Sequence, residues 1–468
     1  MAILRNSNSP EVAPSESDTN ATSRRAAWQA RAIDLRTRAT LAEDARYFLR
    51  QSVSTPCLNV IAKAEGIWIE DSAGRRYMDF HGNNVHHIGY GHPRLKRAIA
   101  AQMDALPFAP RRYGCEVATA LAAKLASIAP GNLSKMLFTT GGSDAIEVAI
   151  KIARTATGRH KTLSFWDSFH GAGFGASALS GEALFRSGPA APLVAGANHV
   201  PPFACYRCPY GYKTDAQGKP QLELCQMQCA RMVEYVLERE GDVAAVIAEP
   251  ARAVPFLPPP GFWQAVRAAC DRHGALLIFD EIPTGLGKTG RMFACDHDGV
   301  APDILVMGKA LGGGILPIAA VITTPALDVG ADWAFGHYTH EKNPVTSRAA
   351  LTTIEIIEDE GLVENAARIG ALALDRLQAM RDRFACIGDV RGRGLLIGVE
   401  LVKSRAEKTP DPELAETTLY AALDRGLSFK TTMGNVLTLT PPLTITAAEM
   451  HVALDRLEAA LGDSAGAR

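Results

Sequence analysis

With 468 residues, 47% hydrophobic and 21% charged, the chain has the composition of a protein that buries a large core over two or three domains. Its 49 basic and 50 acidic side chains leave a formal charge of −1 with histidines neutral. That excludes the electrostatic footprint of a nucleic-acid binder and a polybasic patch for anionic membrane. One of the longest apolar runs, Ile315 to Ile322, has eight residues and is broken by Pro317, where a membrane helix needs roughly 20.

Residues 1–23 are mostly Ser, Asn, Pro and Thr and lack the apolar core of a signal peptide, so they read as a disordered leader on a cytoplasmic protein. A helical pattern runs from Arg24 to about Arg50. The segment EGIWIEDSAGRRYMDF then alternates like a hairpin around Ser72-Ala73-Gly74. From about Pro93 the text settles into strand, loop and helix alternation. The short apolar runs Met136–Thr139, Val243–Ala248, Ala275–Phe279 and Ile304–Met307 each end in polar or Gly-rich residues. Buried parallel strands look like this, with ligands expected beyond their C-terminal ends. After Asn343 come long amphipathic helices and the strand candidates GLLIGVEL and NVLTLTP. The expectation is an α/β fold, a large doubly wound and mostly parallel sheet domain over 93–343. A smaller α+β domain is expected over 344–468, joined by the N-terminal segment 24–92.

Nine cysteines without a secretion signal argue against a disulfide framework. Five are scattered. Cys205-x-x-Cys208 and Cys225-x-x-x-Cys229 stand in an insertion over 203–230, with sixteen turn-rich residues between the pairs. Two readings stay open for these four: a structural zinc site of four thiolates, or reduced thiols that simply pack. A catalytic metal is disfavoured, because no histidine neighbours them. His81, His86, His87 and His92 match no metal-ligand spacing either and read as loop residues, with His81, Asn83 and Asn84 placed to line a pocket.

Three strand-end loops carry complementary chemistry. In TTGGSDA, Gly141 and Gly142 let the backbone approach a ligand, and Ser143 opens a helix whose free N–H groups and dipole suit a phosphate. Asp280 ends the apolar run ALLIF, where a buried carboxylate requires a positive partner such as a protonated pyridine. Lys309 sits between a strand and a Gly run in PDILVMGKALGGG, where a buried amine can form a Schiff base. Together these are the parts of a pyridoxal phosphate site, and Phe169 in SFHGAGFGA adds an aromatic face for the ring.

The order GGSDA, SFHG, AEP, IFDEIPTGLGKTGRMF, PDILVMGKALGGG, YTHEKNP and VRGRGLLIGVEL resembles the class-III aminotransferase family of fold-type I enzymes that use pyridoxal 5'-phosphate (PLP). The resemblance implies that Lys309 carries the cofactor and shuttles the proton and that Asp280 pairs with the pyridine nitrogen. It implies further that Gly142 and Ser143 hold the phosphate and that Phe169 and His170 lie against the ring. Thr339 would reach the phosphate of a neighbouring subunit in a homodimer whose sites lie at the interface.

Three departures bear on substrate. Pro283 stands where family members carry a Gln toward the phenolic oxygen, and YTHEKNP replaces the usual Gly-Asn-Pro loop with charged residues. Thr438 stands where many members carry the arginine that clamps a substrate carboxylate, and Thr supplies no charge or bidentate fork. Glu249, which neutralises that arginine in the family, is present without it. Cations available for an acidic substrate group are Lys430, Arg111, Arg112 and Lys342. HGNNVHHIGYGHP, DEIPTGLGKTG and YTHEKNP resemble the phosphonate-degrading branch of (R)-1-hydroxy-2-aminoethylphosphonate ammonia-lyases. The implied function is elimination from a small β-hydroxy amine, releasing ammonia. The alternative is an ω-amine or amino-acid transaminase using pyruvate or another oxo acid.

Overall fold

The computed structural model describes residue 15 and residues 22–52, 55–188, 191–215 and 218–466. The leader expected over 1–23 lies outside the described residues except for Ser15, Thr22 and Ser23. Ser15 is buried, donating its hydroxyl to Glu182 at 2.7 Å, and Thr22 caps a helix. The single helix expected over Arg24–Arg50 is two, Ser23–Ala32 and Leu35–Tyr47. Asp34 causes the break: its carboxylate accepts the Thr37 N–H, which caps the second helix.

The predicted hairpin forms, with strands β1 (Ile61–Glu65), β2 (Trp68–Asp71) and β3 (Arg76–Asp79) antiparallel in sequence. The central sheet takes β4 (Lys135–Thr139), β5 (Lys161–Phe165), β6 (Ala197–Val200), β7 (Val243–Ala248), β8 (Leu276–Asp280), β9 (Ile304–Met307) and β10 (Ala319–Thr323). Their spatial order is β4-β10-β9-β8-β7-β5-β6. Only β10 runs antiparallel to its neighbours, and the other pairings are parallel. β10 takes up the second half of the apolar run Ile315–Ile322 and adds Thr323.

Strands β7, β9 and β10 are buried along their whole length, as a sheet covered on both faces requires. On one face, helix Gly142–Thr157 seats Ile146, Val148, Ala149, Ile150 and Ala153. On the other, Trp263 packs edge-on against Phe165, Phe203, Phe262 and Phe279 at ring separations of 4.8–6.3 Å.

The C-terminal region carries β11 (Ile387–Arg393), β12 (Leu396–Ser404), β13 (Thr409–Pro410), β14 (Leu427–Ser428), β15 (Lys430–Thr432) and β16 (Val436–Leu439). β11, β12, β16 and β15 form an antiparallel sheet in that order. β14 instead pairs in parallel with β3, so the N-terminal hairpin extends into the C-terminal region. Helices Pro344–Asp359, Leu362–Arg383, Pro412–Asp424 and Ala447–Gly466 complete it. The insertion over 203–230 is latched to this region by an Arg207–Glu400 ion pair and by Lys408 Nζ donating to the Tyr206 carbonyl at 2.7 Å.

Candidate active site

The strand-end loops meet in one cavity of about 170 Å³. Gly142, Ser143, Phe169, His170, Glu249, Asp280 and Lys309 line it, with Gly171, Ala253, Ile282 and Pro283. The sequence had singled out the first seven and Pro283.

At the end of β4, the chain turns through Gly141 into helix Gly142–Thr157, placing Gly142 and Ser143 in its first turn. The space there is tight. A Cβ on Gly142 would stand 2.7 Å from Ile282 Cδ1, and one on Gly171 would stand 2.6 Å from Ser143 Oγ. Gly171 also has φ +129°, which favours glycine. The Ala172 N–H donates to Ser143 Oγ at 3.0 Å, tying the SFHG loop to the helix N-terminus.

Asp280 ends β8 and is buried. Its Oδ1 accepts the Ile282 N–H at 3.1 Å, and its Oδ2 lies 2.8 Å from His170 Nδ1. His170 Nε2 is buried with no hydrogen-bond partner among the described residues. His170 thus holds the Asp280 carboxylate in place and also lines the cavity. Phe169 packs its ring 4.5 Å from that of Phe185. Lys309 follows β9 with φ +44°, a left-handed conformation that is strained for a residue with a Cβ. Such strain is held in place by surrounding structure and concentrates at functional sites.

Glu281, beside Asp280, does different work. Its carboxylate accepts the Ala294 and Cys295 N–H groups at 2.7 and 2.8 Å, stapling the loop after the Gly-rich stretch. Burial pushes its carboxyl up to about 7 despite those bonds.

Thr438 on β16 gives its hydroxyl to a 2.8 Å hydrogen bond with Thr432. Lys430 stands directly across from Thr438 in the β15–β16 pairing. Arg112, Thr339 and Lys342 are exposed and do not line the cavity of their own protomer, and Arg111 bonds His337.

The sequence did not signal Lys288. It is fully buried, donates to the carbonyls of Pro441 and Thr440 at 2.7 and 3.4 Å, and is pushed down to about 7 by burial, against the pull of Asp79. A buried amine of this kind has no local sequence pattern. The histidines of the 81–92 segment bond to protein groups. His86 donates to the Asp79 carbonyl, His87 to the Gly285 carbonyl, and His92 faces Glu360.

Cys205, Cys208, Cys225 and Cys229 line one small void of about 30 Å³ and are free thiols. Burial raises the thiol of Cys205 to about 12, with Cys229, Cys208 and Cys225 adding to the shift, and raises Cys229 to about 11. Among the described residues no group of three or more His, Cys, Asp or Glu is arranged to hold a metal. Both readings of these four positions, packed thiols and a zinc site, place them around this one void.

The class-III aminotransferase model matches residues 50–461. The chain belongs to the class-III aminotransferase family. As in that family, the cofactor is PLP, and the lining residues suit it. The helix N-terminus at Gly142 and Ser143 would suit the phosphate, the buried Asp280 carboxylate would suit the ring nitrogen, and Lys309 would supply the amine. The (R)-1-hydroxy-2-aminoethylphosphonate ammonia-lyase of Vibrio splendidus is 43% identical over 96% of this chain and 95% of its own length. A leucine/methionine racemase of Thermococcus litoralis is 37% identical over 89% and 94%. Among solved structures, a PLP-bound amine transaminase from an uncultivated Pseudomonas species superposes with TM-score 0.79 at 32% identity, over 86% of this chain and 95% of that one. This class-III enzyme thus has lyase, racemase and transaminase relatives. Among the described residues no helix is long and apolar enough to cross a membrane.

Proposed function

We propose that the enzyme is a PLP-dependent ammonia-lyase acting on a small β-hydroxy amine, with (R)-2-amino-1-hydroxyethylphosphonate as the preferred substrate. Phosphonoacetaldehyde and ammonia are the products, which places the enzyme in phosphonate catabolism. The observation that carries this reading is Thr438, a neutral side chain committed to Thr432 at the position where many family members clamp a carboxylate with arginine. Without that clamp a 2-oxo acid acceptor loses its anchor, and elimination needs no acceptor. The similarity to the Vibrio enzyme supports the same reading.

When bound, PLP would supply an electron-withdrawing group that acidifies the amine-bearing carbon of the substrate. Asp280, fixed by His170 and the Ile282 N–H, would hold the ring nitrogen of bound PLP and, as a carboxylate, favour its protonated form. The Lys309 amine takes the proton from the amine-bearing carbon. Glu249 and Pro283 also line the cavity. Loss of the β-hydroxyl with one proton, as water, balances the proton taken by Lys309 and would leave a free enamine, which takes up water to give the aldehyde and ammonia.

We also infer a cytoplasmic homodimer, divided at residues 92–93 and 343–344, in which Thr339, Arg112 and Lys342 serve the partner's site. The exposure of Phe108, Tyr113 and Trp333 near these residues in sequence supports a covered face.

The test is ammonia release from 2-amino-1-hydroxyethylphosphonate by PLP-loaded protein, with and without pyruvate or 2-oxoglutarate. Acceptor-independent ammonia together with an aldehyde product establishes the lyase. Amino transfer that requires the oxo acid overturns it in favour of the transaminase reading, which the amine transaminase neighbour favours.

A further inference from the structure

Arg252 stands in the loop that follows β7, one residue before the cavity-lining Ala253, and is only 3% exposed. Its guanidinium makes no ion pair among the described residues. Nη2 donates to the Asp167 carbonyl, 85 residues away in the chain, and the guanidinium carbon lies 5.2 Å from the centre of the Phe256 ring. Nε is buried with no hydrogen-bond partner. A buried cation answered only by a carbonyl and a ring face is costly, so its presence points to what it holds in place.

What it holds is the loop between β5 and the cavity. Asp167 has φ +62°, a left-handed value for a residue with a Cβ, and the chain turns there into Ser168, Phe169 and His170. Phe169 and His170 line the cavity, and His170 reaches Asp280. The far end of the loop has its own ties. Ser180 Oγ accepts the His170 N–H at 3.0 Å, and the Ser168 carbonyl accepts the Gly181 N–H at 2.8 Å. Arg252 supplies the tie at Asp167. It is seated in turn from the C-terminal region. The Arg252 N–H donates to the Phe256 carbonyl at 3.0 Å, closing its own loop. Arg391 of β11 lies over the same Phe256 ring at 4.3 Å and donates to the Pro255 carbonyl. Asp389 and Glu400 neutralise Arg391 at 2.7 and 2.6 Å. A continuous set of contacts thus runs from β11 through Phe256 and Arg252 to Asp167, at the head of the loop that carries His170.

We propose that Arg252 is a positioning residue for the cofactor site: through the Asp167 carbonyl it sets the loop that brings His170 to Asp280, and Phe256 and Arg391 fix it to the C-terminal sheet. The proposal holds whether the enzyme eliminates or transfers, because the Asp280 carboxylate would serve the ring nitrogen of PLP in either reaction. Loss of the guanidinium frees Asp167 and loosens the grip of His170 on Asp280. A loosely held carboxylate favours the protonated ring nitrogen less. With less positive charge on the ring, the linkage between Lys309 and the cofactor loses its proton at a higher pH.

The first readout is the absorption of the PLP-loaded enzyme titrated with pH in the absence of substrate. Arg252→Met is expected to move the midpoint upward, the same direction as His170→Gln. The second is a double-mutant cycle on kcat, measured for whichever of ammonia release or amino transfer the enzyme performs. Arg252→Met is expected to lower kcat about 3- to 10-fold, the scale of a slightly misplaced site, and the double variant with His170→Gln to lose little more than His170→Gln alone. An unmoved midpoint in Arg252→Met, even with a lowered melting temperature, overturns the proposal. So do losses that multiply in the double variant, since Arg252 would then act independently of His170. If Arg252→Met does not fold, Phe256→Leu, which removes the ring that seats the guanidinium, carries the same two comparisons.

Discussion

Nδ1 of His170 lies 2.8 Å from Oδ2 of Asp280, both side chains are buried, and 110 residues separate them in the chain. The second carboxylate oxygen is held by the Ile282 N–H, so Asp280 has little freedom to turn. Asp280→Asn removes the charge and is expected to lower kcat by at least about 10²-fold, the scale of losing a preorganised charge at the reacting group. His170→Gln keeps the charge but loosens it, and about a tenfold loss is expected from one charge-assisted bond. Steady-state kinetics at saturating PLP check both, and equal losses would show that His170 does more than orient.

Lys309 has two separable roles, carrying the cofactor and moving a proton. Lys309→Ala is expected to abolish borohydride fixation of the cofactor and to lower kcat by about 10²–10⁴-fold, the range of a lost general base. Mass spectrometry after borohydride treatment reads the first loss and kinetics the second. A fixed cofactor in the variant would locate the attachment at another lysine.

Gly171 combines φ +129° with an ideal Cβ position 2.6 Å from Ser143 Oγ and 2.9 Å from Ser143 Cα. An alanine there must shift the helix N-terminus or the SFHG loop. Gly171→Ala is expected to cost about 2 kcal/mol or more and to weaken PLP retention, read by melting temperature and by cofactor dialysis.

Lys288 titrates near neutrality, pushed down to about 7 from the ordinary 10.5 by burial. Its folded-state value lies below its unfolded one, so between pH 7 and 10.5 the unfolded chain binds more protons. Stability from this group is therefore present above about 10.5 and lost as pH falls toward 7, at up to about 1.4 kcal/mol per pH unit. Lys288→Met is expected to remove that slope. Urea denaturation of wild type and variant at pH 7 and pH 9.5 checks it, and parallel pH profiles would refute it.

The site could be read from the chain to the extent that its chemistry sits at strand ends. Gly142, Ser143, Asp280 and Lys309 each follow an apolar run short enough to be a buried strand, and parallel strands deliver their C-terminal residues to one edge. The hairpin and the strands β7 and β9 were likewise visible as alternation or as unbroken apolar text. The split of the first helix at Asp34 was not, because a capping carboxylate overrides a continuing helical pattern only where its geometry permits.

Sequence by itself determined which residues are available: an amine, a carboxylate, a Gly-Ser turn, and a threonine in place of an arginine. Tertiary structure decided what each faces. It joined His170 to Asp280, locked Thr438 to Thr432, set Lys430 across from Thr438, buried Lys288 and gathered four cysteines around a void. The physical reason is range. Apolar periodicity and turn chemistry act over a few residues and are written locally, whereas desolvation and hydrogen-bond pairing depend on neighbours that only the folded chain brings together.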